Sequence, residues 1–187
     1  TLTSITAYSD YKPDSVQDAT IKQWGNSIYL PASGASKEGD RPFLDRLNLD
    51  TLQTERLFRS DDESYETVVA IVSDDASRVI TRRETRTDPP NYYVRQLPGD
   101  TKTALTHFTD PHPQLTKAMA ERMFVTYQRK DGVGLSGTIY LPVGYQKGQR
   151  VPMLVWAYPR EFVDAAAASQ ISGSPDRFTT VRGSSHL

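Results

Sequence analysis

Short runs in which apolar and polar positions alternate, separated by turn-forming residues, fill the chain from about Ser27 to Asp110. Ser27 to Leu30 is the first, closed by the polar loop Pro31 to Asp40. Phe43 to Leu49 sets Phe43, Asp45 and Leu47 against Leu44, Arg46 and Asn48, and Glu55 to Phe58 returns after Asp50-Thr51. That spacing predicts a hairpin. Thr67 to Val72 is a β-branched run, turned by Ser73-Asp74-Asp75 into Arg78 to Arg83, a second hairpin. Asn91 to Leu97, Pro98-Gly99-Asp100 and Thr103 to Phe108 make a third. Strands recurring at roughly 8–12 residues predict an antiparallel all-β unit, a sandwich or propeller blades built from four-stranded sheets. No WD-type dipeptide recurs at a fixed period.

The pattern changes at Asp110-Pro111-His112-Pro113, where two prolines fix the backbone and mark a linker. Gln114 to Arg122 holds good helix formers. Met123 to Arg129 and Ser136 to Leu141 read as a hairpin around Lys130 to Gly134. Val151 to Tyr158 is apolar throughout rather than alternating, which predicts a central strand buried on both faces, as in a parallel α/β sheet. Beyond it, the alanines between Asp164 and Gln170 allow a short helical turn, and Gly173, Pro175 and Gly183 interrupt regular structure nearer the C-terminal end. The expected division is 1–113 and 114–187.

Composition narrows the partners. Across 187 residues, 22 Lys and Arg stand against 23 Asp and Glu, a net charge of -1, so no broad field favours nucleic acid or an anionic membrane. The chain has no cysteine, hence no disulfide framework and no thiolate metal site. No apolar run approaches the roughly 20 residues of a membrane helix. Thr1 to Asp10 lacks the basic and apolar regions of a signal peptide. Cytosolic, periplasmic, secreted and plastid locations all fit. Neither end resembles a natural terminus, so an internal piece of a longer polypeptide is expected.

Several motifs invite chemistry and have plainer readings. Gly132 to Gly137 matches G-x-G-x-x-G, but a dinucleotide loop must open a helix, and here the strand-like Thr138 to Leu141 comes next; a hairpin turn is expected and no cofactor. Gly134-Leu135-Ser136-Gly137 approaches a nucleophile elbow, yet Thr138 occupies the required second glycine position. His107, His112 and His186 lack partners at metal-ligand spacing, and Asp61-Asp62-Glu63 lacks the alternation of a calcium loop, so no metal is expected. Tyr158 and Arg160 fall where the apolar run ends, the position at which open α/β sheets bind ligands; a tyrosine packed over the strand end and a surface arginine is the equal alternative.

Arg129 to Pro142, with Leu154-Val155-Trp156-Ala157-Tyr158-Pro159-Arg160-Glu161-Phe162 downstream, resembles the entry to the catalytic domain of serine peptidases of the prolyl oligopeptidase superfamily. Gly173-Ser174-Pro175, Arg177-Phe178, Gly39 to Arg46 and Pro89 to Tyr93 resemble its glutamyl endopeptidase branch. The resemblance implies a mostly β chain: the last antiparallel blades of a β-propeller, followed by the first strands of an incomplete α/β-hydrolase domain. It implies peptide-bond hydrolysis, after Glu in that branch, on a peptide substrate, with the nucleophile and its Asp and His partners supplied by the remainder of the polypeptide. This chain alone is then expected to be inactive, because a serine without its base is a poor nucleophile. Tyr158 matches a tyrosine that donates to the oxyanion in some members. Arg160 is a candidate for pairing with a substrate carboxylate, against a salt bridge to Glu161 or Asp164. Two other readings stay open: a non-catalytic peptide-binding propeller module, and an esterase or other acyl hydrolase on the same fold.

Overall fold

The computed structural model describes residues 22–36, 38–155, 157 and 173–178. Among the described residues, ten strands and one short helix run in the order β1 (Gln23–Trp24), β2 (Ser27–Ala32), β3 (Phe43–Asn48), β4 (Thr54–Arg59), β5 (Tyr65–Ile71), β6 (Arg78–Glu84), β7 (Asn91–Gln96), β8 (Lys102–Ala104), α1 (Pro113–Ala118), β9 (Met119–Gln128) and β10 (Gly134–Pro142). They form two four-stranded antiparallel meanders, β1-β2-β3-β4 and β5-β6-β7-β8, and a separate β9–β10 hairpin. The described chain is thus mostly antiparallel β with little helix.

The two meanders share one core. Tyr29, Leu44 and Phe58 from the first sheet meet Ala76, Val79 and Leu97 from the second, all buried, with Leu57, Val68 and Ile71 at the margin. The period-2 pattern explains which residues enter it. Leu44 opposes Phe58 across β3 and β4, and Val79 opposes Ile71 across β5 and β6. Each pair is displaced by a bulge, at Leu44/Asp45 and at Val68/Ala70. In β5 the extra residue is Val69, which is exposed on the free edge of its sheet. Bulges at edges bend the strand and discourage further pairing.

Between the sheets the ladder is broken by side chains. Ser60 Oγ donates to the carbonyl of Ser64 at 2.7 Å and accepts from the Glu66 amide at 2.9 Å. The polar link Asp61 to Glu63 therefore turns the chain into a new sheet instead of a fifth strand. Strand β8 is shorter than the expected Thr103 to Phe108 for a similar reason. Past Leu105, the Tyr92 amide donates to Thr106 Oγ1 at 2.9 Å, and Asn91 Oδ1 takes the Phe108 amide at 2.7 Å. Side-chain oxygens thus replace ladder carbonyls.

The hairpin at Lys130 to Gly134 forms as expected, with Gly132 at φ 86. Helix formers after the proline junction yield only a short helix, because Met119 already pairs with Pro142 in the β9–β10 ladder. Of the run Val151 to Tyr158, expected as a buried strand, Trp156 and Tyr158 lie outside the described residues; Val151 to Val155 forms no strand, and Met153, Leu154 and Val155 are 82%, 79% and 72% exposed. A strand buried on both faces needs neighbours on its edges and cover above and below, and none of the described strands pairs with this run.

Candidate functional site

Tyr158 and Arg160 lie outside the described residues, as does His186. The two glycine-rich motifs lie within the described residues. Gly132 to Gly137 is a hairpin turn running into β10, and Ser136 sits within that strand opposite Thr126, so it occupies no strand-to-helix elbow. His107 and His112 are exposed, and the described residues contain no group of His, Cys, Asp and Glu able to hold a metal ion. Asp61 accepts from the Ser64 hydroxyl at 2.7 Å and the Glu63 amide at 3.1 Å. Burial alone would raise its pKa, but these two donors hold the carboxyl below its ordinary range.

Two of the motif stretches, far apart in sequence, come together. The Asp40 amide donates to the Gly173 carbonyl at 2.7 Å, and the Gly173 amide returns a bond to Asp40 Oδ2 at 2.9 Å. Gly39, at φ +111, allows the approach: a Cβ there would stand 2.6 Å from the Gly173 carbonyl oxygen and 3.1 Å from both Phe124 and Pro175. A side chain would therefore strain the backbone and separate the two loops.

Residues 173–178 are held along their whole length. Arg122, on β9, directs Nη2 at the carbonyls of Ser174 (2.8 Å), Pro175 and Arg177 (3.0 Å). Glu84, which closes β6 and is 3% exposed, accepts the Phe178 amide at 3.0 Å and pairs with Arg82 at 3.0 Å and Arg177 at 3.5 Å. The Arg177 guanidinium lies 4.9 Å from the Tyr65 ring centre. Arg86 pairs with Asp176 at 3.4 Å, and Ser174 and Phe178 are buried. Nothing in the sequence singled out Arg122 or Glu84, since an arginine or glutamate in a strand reads as a solvated position until its partner is known.

Burial pushes the Asp40 carboxyl above its ordinary 3.8, against the Gly173 amide and Arg177, which both favour the charge. The folded state therefore binds this proton more tightly than the unfolded chain. The stability Asp40 contributes is fully present below its unfolded value and is lost as pH rises through the raised one. Asp40→Asn keeps an acceptor and carries no charge. The protection of the Gly173 amide against exchange in this variant, relative to the native sequence, should improve as pH rises from below 3.8 through the raised value. A difference that stays constant over that range would remove Asp40 from the balance.

No family model matches the chain. Among curated proteins it is similar to "Probable glutamyl endopeptidase, chloroplastic" of Oryza sativa subsp. japonica, 39% identical over 182 residues, covering 90% of this chain and 19% of that protein. The protein of the same name from Arabidopsis thaliana is 38% identical over 174 residues, covering 87% and 18%. The chain thus spans under a fifth of the length of the curated relatives it matches. Among solved structures it is similar to the AtxE2 isopeptidase in its apo form, with TM-score 0.44 and 22% identity over 68% of this chain and 18% of that one. A variant of that isopeptidase with Astexin3-dC4 bound gives 0.46 and 20% over 80% and 24%. Structural scores of this size carry no functional weight. The two curated relatives tie the chain to proteins named as peptidases.

Proposed function

We propose that the chain is part of a serine-type endopeptidase that hydrolyses peptide bonds after glutamate. In this reading residues 1–113 are the last blades of a β-propeller and residues 114–187 open an α/β-hydrolase domain. The observation that carries it is the 39% identity to a glutamyl endopeptidase across 90% of the chain. It is supported by the docking of Gly39-Asp40 against Gly173 to Phe178, two stretches that resemble the same branch. Four-stranded meanders are the unit from which propellers repeat.

Within this proposal the nucleophilic serine, its histidine and its aspartate come from the remainder of the polypeptide, since no serine here occupies a G-x-S-x-G elbow. The segment contributes Tyr158 as an oxyanion donor and Arg160 as a partner for an acidic side chain. A fluorophosphonate probe tests the division of labour. The 187-residue chain should stay unlabelled and inert toward peptides and esters, while the parent should be labelled on one serine and cleave Glu-containing peptides faster than their Gln counterparts. Stoichiometric labelling of a serine in this chain would overturn the assignment. A parent that binds peptide but takes no label would be a binding module.

A further inference from the structure

Residues 173–178 are gripped from three sides by elements that otherwise belong to separate sheets. Asp40 belongs to the loop leading into β3 of the first sheet, Glu84 ends β6 of the second, and Arg122 belongs to the hairpin. The three grips have one feature in common: each satisfies backbone groups of the segment, and Glu84 in addition pairs with the Arg177 side chain. Asp40 exchanges two bonds with Gly173, Arg122 collects the carbonyls of Ser174, Pro175 and Arg177, and Glu84 takes the Phe178 amide. A segment of irregular backbone would leave these groups orphaned if buried without partners, and each orphan costs the full desolvation of that group. Partial docking is therefore unfavourable. Releasing Arg122 removes the donor from the part-buried carbonyls of Ser174 and Pro175, and the burial of Ser174 and Phe178 then no longer offsets the ordering of the segment.

We propose that residues 173–178 are a cooperative strap that docks and undocks as one unit, holding the β9–β10 hairpin against the two sheets without being part of either sheet's own stability. Its undocking is a partial opening below global unfolding. The hairpin is positioned by the strap through Arg122, and its Phe124 ring approaches Gly39, the neighbour of Asp40. This device stands on the contacts alone and does not depend on the peptidase reading.

Amide hydrogen exchange of the full chain, followed by NMR, tests it. Three amides report docking: Asp40 and Gly173, which bond each other's residue, and Phe178, which bonds Glu84. Arg122 touches none of these three amides. In Arg122→Ala all three should exchange at least about tenfold faster, as the loss of hydrogen bonds to three carbonyls would allow. In Asp40→Ala the Phe178 amide, at the other end of the strap, should accelerate likewise, and Asp40→Asn, which retains an acceptor, should restore most of its protection. Amides of β3 and β6 should keep their native rates in every variant. Unchanged exchange at Phe178 in both alanine variants would mean independent contacts, and loss of protection throughout β3 and β6 would mean that the segment belongs to the common core. Either result overturns the strap.

Discussion

Glu66→Ala should destabilise the chain by about 3–5 kcal/mol, lowering its melting temperature by roughly 10 °C. Glu66 is 1% exposed and receives Arg95 in a two-pronged pair, Nη2 to Oε2 at 2.8 Å and Nε to Oε1 at 3.1 Å. Thr81 donates to the same Oε1 at 2.6 Å, and Arg83 stands 4.0 Å from Oε2. Arg95 is itself 5% exposed, reaches Asp100 with Nη1 at 3.1 Å, and lies 5.1 Å from the centre of the Phe58 ring on the opposite sheet. Burial alone would lower the Arg95 pKa, but the bonds it donates to Glu66 and Asp100 reverse the sign and hold it above its ordinary value. Removing the carboxylate leaves a buried guanidinium with its principal partner gone, which is costlier than the pair itself was worth.

The same reasoning predicts an asymmetry that thermal melts can read. Arg95→Ala should cost a similar amount, whereas Glu66→Leu combined with Arg95→Met should recover most of the loss, because hydrophobic groups of similar volume carry no desolvation penalty. Additive losses in the double variant would show that the pair stabilises through shape rather than charge. The location gives the pair a second consequence. It spans β5 and β7 beneath the face that meets Phe58, so it fixes how one meander is set against the other.

Under the proposed function, Tyr158→Phe in the parent should lower kcat by ~10²–10³ with little change in KM, the effect of removing one oxyanion donor. Within the proposed function, its hydroxyl meets only the charge that develops on the substrate carbonyl, so it stabilises the transition state and not the bound substrate. Steady-state kinetics on a Glu-containing peptide provide the measurement. An unchanged kcat would sink the oxyanion role. Arg160→Ala is the companion measurement: loss of the preference for Glu over Gln would place its guanidinium against the substrate carboxylate, and an unchanged preference would take it out of recognition.

Local pattern was enough to locate the strands between about Ser27 and Asp110. Alternation and turn chemistry act over a few residues, so Phe43–Asn48, Arg78–Glu84 and Asn91–Gln96 could be placed to within a residue or two. The glycine pattern at 132–137 was likewise legible as a turn, because a strand and no helix comes after it. Local pattern does not carry the partners of sequence-distant groups. Glu66, Glu84, Arg95 and Arg122 look like ordinary strand polar residues, and only the folded chain brings each to its counter-group. Nor could alternation show that the ladder stops at Ser60, where a serine hydroxyl takes the Glu66 amide and the eight strands divide into two sheets. The apolar run at Val151 to Val155 marks the limit from the other side: hydrophobicity states what a segment would bury, while strand formation depends on neighbours that the assembled fold has to supply. Residues 173–178 have no periodicity at all, and what gives them a fixed place is a cradle of Asp40, Glu84 and Arg122 assembled from three different parts of the fold.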